Sequence, residues 1–260
     1  MADPILGTQT LEADTMGQIA IALTDYGIDF TALSDAETNG RTYATLDPVA
    51  LMLHHTASEN TSITTIRRGR SDLPGPLAQL FLEEYPERKL WLVSEGVCNH
   101  AGKGSVTTYS NVIEDQPVVF PPGPDVYPGF SYNSVYYGIE VEGDSWDDFA
   151  GTPRYWLAVK VSAAICTAHD WDPLTRLISH KEHTRRKPDP FWDMPQFRKD
   201  VAIELMAPAP PVYDSPYSVH QPAWDKAFDQ GVVTVHSDPH KTVTKQELMT
   251  IFDRLGLLEG

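Results

Sequence analysis

The chain has 260 residues, enough for one well-buried domain with a small additional module. Hydrophobic residues at 41% and charged residues at 22% exclude a disordered or fibrous chain. With 36 acidic against 20 basic residues, the formal net charge of -16 opposes binding to nucleic-acid phosphates or anionic membranes, and no segment reaches the roughly 20 apolar residues that membrane insertion requires.

The opening segment, MADPILGTQTLEAD, has no basic stretch ahead of an apolar run, so the chain is expected to carry no secretory signal and to be held in the cytoplasm where it is made. Residues Thr15 to Tyr26 place Ile19, Leu23 and Tyr26 at helical spacing, with Thr15 and Gln18 as a capping-box pair. The short apolar run Val49 to Leu53 reads as a buried strand that delivers His54 at its end. Leu77 to Leu82 and Lys89 to Val93, separated by the polar EEYPER, read as a hairpin, and Ser134 to Val141 as a further strand with Glu140 near its end. From Arg154 to His169, Leu157, Val161, Ala164, Ile165 and Ala168 recur at helical steps after Pro153, which suits a first-turn position. Phe197, Val201 and Leu205 follow Pro195 as a closing helix. This order predicts an α/β fold, a mixed central sheet flanked by helices, over residues 1–206.

The stretch APAPPVYDSP, residues 207–216, reads as a Pro-rich linker. In the tail, 217–260, Trp224, Ala227 and Phe228 precede a stop at Gly231, and Thr244 and Glu247 form a capping-box pair before Leu248, Ile251 and Leu255, giving two short helices. Cys98 and Cys166 are too few to staple a chain of this size and are read as free thiols.

The nine histidines are unevenly placed. LHHTAS supplies His54 and His55, and SHKEHTRRKPDP supplies His180, His183 and Asp189, with Lys187 close by. Imidazole and carboxylate donors of this kind suit a catalytic zinc site, in which three protein ligands leave a fourth position open. An HH pair after a strand is, taken alone, more often a surface turn or a packed imidazole than a metal site, and the spacing by itself leaves the ligand choice open. The absence of an H-E-x-x-H pair argues against the common helical zinc proteases.

The segments LMLHHTAS (51–58), GRSDLPGPLAQL (69–80), EGVCNHAGKGS (95–105), YYGIEVEG (136–143) and SHKEHTRRKPDP (179–190) together resemble the type 2 N-acetylmuramoyl-L-alanine amidases, the superfamily shared with peptidoglycan recognition proteins, and within it the endolysins of actinobacterial phages. The resemblance implies a Zn2+ ion held by His54, His180 and Asp189, with His55 and His183 as the neighbouring alternatives. It implies Glu140 of the GIE segment as the proton-transferring acid, with Glu142 as its alternative, and Lys187 as a stabiliser of developing negative charge. It further implies that His100, His55 and Asn133 line a substrate groove.

The implied substrate is bacterial peptidoglycan, cut between N-acetylmuramic acid and L-alanine by a monomer released from the host cytoplasm to the wall during lysis. Relatives lacking a zinc ligand bind peptidoglycan without cutting it, and a zinc peptidase acting on the stem peptide is the other alternative. The tail resembles a single surface-layer-homology-like unit, implying wall attachment, although a helical hairpin packed on the catalytic domain has the same pattern.

Overall fold

The computed structural model describes residues 17–84, 88–126, 128–143 and 152–206. The expected linker, 207–216, and the expected helical tail, 217–260, lie outside the described residues.

The first helix, α1 (Gln18–Asp25), buries Ile19, Ala20, Ala22 and Leu23. Its N-cap is Gly17, which has no side chain to offer the unpaired N–H groups of the first turn. Ile19 and Ala20 donate instead to the carboxylate of Glu95, at 3.3 and 3.0 Å. The capping contact thus comes from a loop some seventy-five residues away and not from Gln18; Thr15 lies outside the described residues.

There follow β1 (Thr31–Ala32), β2 (Ala50–His55), α2 (Ile63–Arg68), β3 (Gly69–Arg70), β4 (Leu73–Pro74), β5 (Leu80–Glu83) and β6 (Lys89–Leu92). Next come β7 (Gly104–Ser105), α3 (Val106–Ile113), β8 (Asp125–Val126), a 3₁₀ turn at Tyr132–Ser134 and β9 (Tyr136–Val141). The described part closes with α4 (Pro153–His169), α5 (Pro173–Arg176), β10 (Leu177–Ser179), α6 (His180–His183) and α7 (Met194–Met206). Among the described residues no helix is long and apolar enough to cross a membrane.

Among the described residues six strands form one mixed sheet in the order β1-β6-β5-β9-β2-β10. The expected hairpin is its antiparallel part, β5 with β6, and every other pairing is parallel. Because β2 is buried on both faces it reads as an uninterrupted apolar run, as central parallel strands do. Leu51 and Leu53 point with Tyr137 and Ile139 into the larger core, which α1, α4 and α7 cover. Ala50, Met52, Tyr136 and Ile178 point the other way, onto Val112 of α3 and Tyr132.

Thr152 caps α4 through Tyr155 N–H, with Pro153 in the first turn as its fixed φ favours. This helix is buried well beyond a single stripe, Tyr155, Ala158, Val159, Val161, Ala164 and Ile165 all being covered, because it packs against both α1 and α7. Cys98 and Cys166 are both buried and free.

Candidate metal centre and its cleft

Parallel pairing decides where the polar side chains meet. In the ladder of β2 with β9, His54 lies opposite Glu140, and in that of β2 with β10, Leu53 lies opposite Ser179. The carboxyl ends of three neighbouring strands therefore carry His54, Glu140 and, one residue past β10, His180. Open α/β sheets place their ligand sites at this edge. Alternation along β2 sends His54 to the same face as Met52 and sends His55 to the face of Leu53.

His180 is the first residue of α6, and its position is braced from below. The backbone N–H and hydroxyl of Ser179 donate to the Glu182 carboxylate at 2.9 and 2.8 Å. Arg198 of α7 donates to that same carboxylate at 2.6 Å and to the Leu177 carbonyl at 2.8 Å. The loop after α6 returns so that the Lys181 N–H donates to the carbonyl of Asp189 at 2.8 Å. As a result, one ligating atom each from His54, His180 and Asp189 lies within 4.8 Å of the others. His54 Nδ1 is 3.0 Å from His180 Nδ1 and 3.2 Å from Asp189 Oδ2, and His180 Nδ1 is 3.0 Å from that oxygen.

Two imidazole nitrogens and one carboxylate oxygen, all buried, are a donor set suited to zinc with a fourth position left open. Burial disfavours the imidazolium and brings His54 down to about 4, against the pull of Asp189, so the ring is neutral and able to ligate at neutral pH. Burial works against ionisation of Asp189, but the imidazoles of His180 and His54 outweigh it and hold that carboxyl far below the usual range.

The group opens into a cleft of about 420 Å³, lined by His54, His55, His100, Glu140, His180, Lys187 and Asp189 among others. Burial, reinforced by the charge of Asp189, raises Glu140 from 4.5 to about 8, while Lys187 and Arg70 pull it down. Its Oε2 is buried with no hydrogen-bond partner among the described residues. Glu142 turns elsewhere. Being one residue past the end of β9, it accepts the N–H groups of Thr61 and Glu84 at 2.8 and 2.7 Å and does not line the cleft.

His55 lines the cleft and stacks on Phe191, with centroids 5.1 Å apart. His183 is fully buried, edge-on to Tyr132 and Tyr136, and is not part of the three-ligand group. Asn133 is turned inward. Its Oδ1 accepts the N–H groups of His100, Ala101 and Gly102 at 3.2, 2.8 and 3.1 Å, and its Nδ2 donates to Tyr43 and Asn99. Arg70, absent from the sequence expectations, reaches the cleft from the β3–β4 ribbon, paired with Asp72 at 3.1 Å. Its only sequence signal is membership of the GRSDLPGPLAQL segment.

Residues 44–192 match the family model Amidase_2, described as N-acetylmuramoyl-L-alanine amidase, and the match spans more than half of the chain. The chain belongs to this family. The whole of the cleft described above falls within the amidase match.

Among solved structures the chain is similar to the endolysin N-acetylmuramoyl-L-alanine amidase LysCS from Clostridium intestinale URNW, at 16% identity and a TM-score of 0.40, covering 60% of this chain and 85% of that one. It is similar also to the amidase LysC of the same organism, at 16% identity and a TM-score of 0.40, over 63% and 95% of the two chains. A third is the Staphylococcus aureus hydrolase AmiA in complex with its ligand, at 9% identity and a TM-score of 0.42, over 77% and 96%. No curated protein matches the chain.

Proposed function

We propose that this amidase-family chain hydrolyses the amide bond between N-acetylmuramic acid and L-alanine in bacterial peptidoglycan, with one zinc ion held by His54, His180 and Asp189. The observation that carries the reading is the convergence of those three ligating atoms beside Glu140 in a cleft lying within the family match.

A zinc ion bound there would supply Lewis acidity, acidifying water and polarising the scissile carbonyl. Glu140 takes the proton of the attacking water on a carboxylate oxygen and delivers it to the leaving amine nitrogen of L-alanine. The same burial that raises its pKa makes it competent to hold that proton between the two transfers. Lys187 offsets the negative charge that develops on the former carbonyl oxygen. His55, on the cleft wall against Phe191, contacts substrate. We further propose that the chain acts as a phage endolysin, a role supported by the sequence resemblance to such enzymes.

Mass spectrometry of purified peptidoglycan after digestion tests the bond assignment. Free stem peptides with an N-terminal alanine are expected. Cleavage within the stem peptide would make the chain a peptidase, and wall binding without products would make it a non-catalytic binding protein.

A further inference from the structure

We propose that His100 is a positioning residue that fixes the tautomer and ring plane of His54, so that His54 Nδ1 presents a lone pair to the metal. The inference rests on the reading that His54 is a metal ligand.

A chain of two hydrogen bonds runs away from the ligand group and ends on the backbone. His54 Nε2 lies 3.1 Å from His100 Nδ1, and His100 Nε2 lies 3.2 Å from the carbonyl oxygen of Tyr136. A carbonyl only accepts, so His100 Nε2 must carry the hydrogen of that contact. Both rings are buried, which favours their neutral forms, and a neutral imidazole with Nε2–H has a bare Nδ1. The bare His100 Nδ1 can only accept, so His54 Nε2 donates to it. His54 Nδ1 is then the bare nitrogen facing His180 and, at 3.2 Å, the Asp189 oxygen, and these opposed lone pairs are satisfied by a cation between them and not by a hydrogen bond. One backbone carbonyl thus sets the direction of the relay, and no alternative proton placement satisfies both contacts with neutral rings. Ligating histidines are oriented by partners of this kind, which also raise their basicity.

The surroundings hold His100 to that task. Its loop is fixed by Asn133, whose single carbonyl oxygen takes the N–H groups of three consecutive residues, 100 to 102. The two rings meet edge to face at 89° with centroids 5.2 Å apart. The imidazole lies over Gly138 of β9, where an added Cβ would sit 2.8 Å from His100 Cγ and Nδ1. Glycine at that position leaves the room the ring occupies. Neither the HAG segment nor the GIE segment shows this in sequence, because the contact joins a loop to a strand thirty-eight residues on.

The test compares the full-length wild-type chain with His100→Phe, which keeps a ring and removes the acceptor, and with His100→Asn, whose amide oxygen falls near the Nδ1 position. Nitrogen-15 NMR of the metal-free wild type should show His54 as the Nε2–H tautomer, and His100→Phe should show mixed tautomers. Zinc affinity, measured by competition with a chromophoric chelator, should fall about 10- to 100-fold in His100→Phe and recover largely in His100→Asn. An Nδ1–H tautomer at His54 in the wild type overturns the inference, as does wild-type zinc affinity in His100→Phe. A wild-type chain that takes up no zinc would sink the metal reading and this inference together, whereas a zinc-binding wild type with an unaffected His100→Phe sinks the inference alone. If His100→Phe fails to fold, the wild-type tautomer and the His100→Asn affinity decide the matter.

Discussion

Replacing Glu140 by Gln should make the metal-free protein more stable at pH 8 while abolishing most of its turnover. Burial raises Glu140 from 4.5 to about 8, so between those values the folded chain holds a proton that the unfolded chain has released. Stability is therefore unaffected by this group below pH 4.5, falls as pH rises through the window, and levels off above about pH 8. A displacement of that size corresponds to about 5 kcal/mol at full expression. Glu140 opens partly onto the solvent of the cleft, which screens the effect, and about 2 kcal/mol is the expected gain for Glu140→Gln at pH 8. The assay is urea unfolding of both proteins with a chelator present, at a series of pH values from 4.5 to 8.5. The remaining titrating groups are common to both chains, so the difference isolates position 140. A difference that stays flat with pH, or a Gln variant that is the less stable at pH 8, refutes the reasoning. The accompanying loss of turnover in the zinc-loaded protein should be about 10²- to 10⁴-fold, the usual worth of a general acid–base group.

Asp189→Ala should lower bound zinc to well under one ion per chain by elemental analysis and remove activity with it; full zinc content in that variant would discard the ligand assignment. Lys187→Ala should keep the fold and the metal yet lose about 10²- to 10³-fold in kcat, comparable to deleting one oxyanion donor, and an unchanged kcat would remove Lys187 from the chemistry. Arg198→Leu leaves the buried Glu182 carboxylate without its cation and should cost about 3–5 kcal/mol in chemical denaturation. A loss below about 1 kcal/mol would show that Ser179 alone satisfies Glu182.

The strands that build the site were legible because they are central. A strand buried on both faces must be apolar throughout, and the run before His54 could hardly be anything else. The preference for His54 over His55 rested only on resemblance, since period-two alternation separates the two residues but does not say which face meets His180 and Asp189. Glu142 shows where alternation fails: it holds only while the ladder continues, and β9 ends at Val141. Contacts between residues distant in the chain left no local trace. The capping of α1 by Glu95 and the anchoring of residues 100 to 102 by Asn133 are both of this type.

The proposed ligand His180 follows directly on β10, a three-residue strand that among the described residues pairs on one side only, at the rim of the sheet. Whatever grips His180 therefore also grips the outermost rung of the ladder. An ion shared between His54 and His180 would act as a clasp across β2 and β10, and mass action would add its binding energy to the local closing of that rim. Amide hydrogens at Leu177 to Ser179 should then exchange much more slowly in the zinc-loaded chain than in the stripped one. Removing the ion would leave a short unprotected rim with open backbone groups, the feature through which sheets recruit foreign strands. Storage in chelating buffers should accordingly promote aggregation well before global unfolding, and resupplied zinc should prevent it.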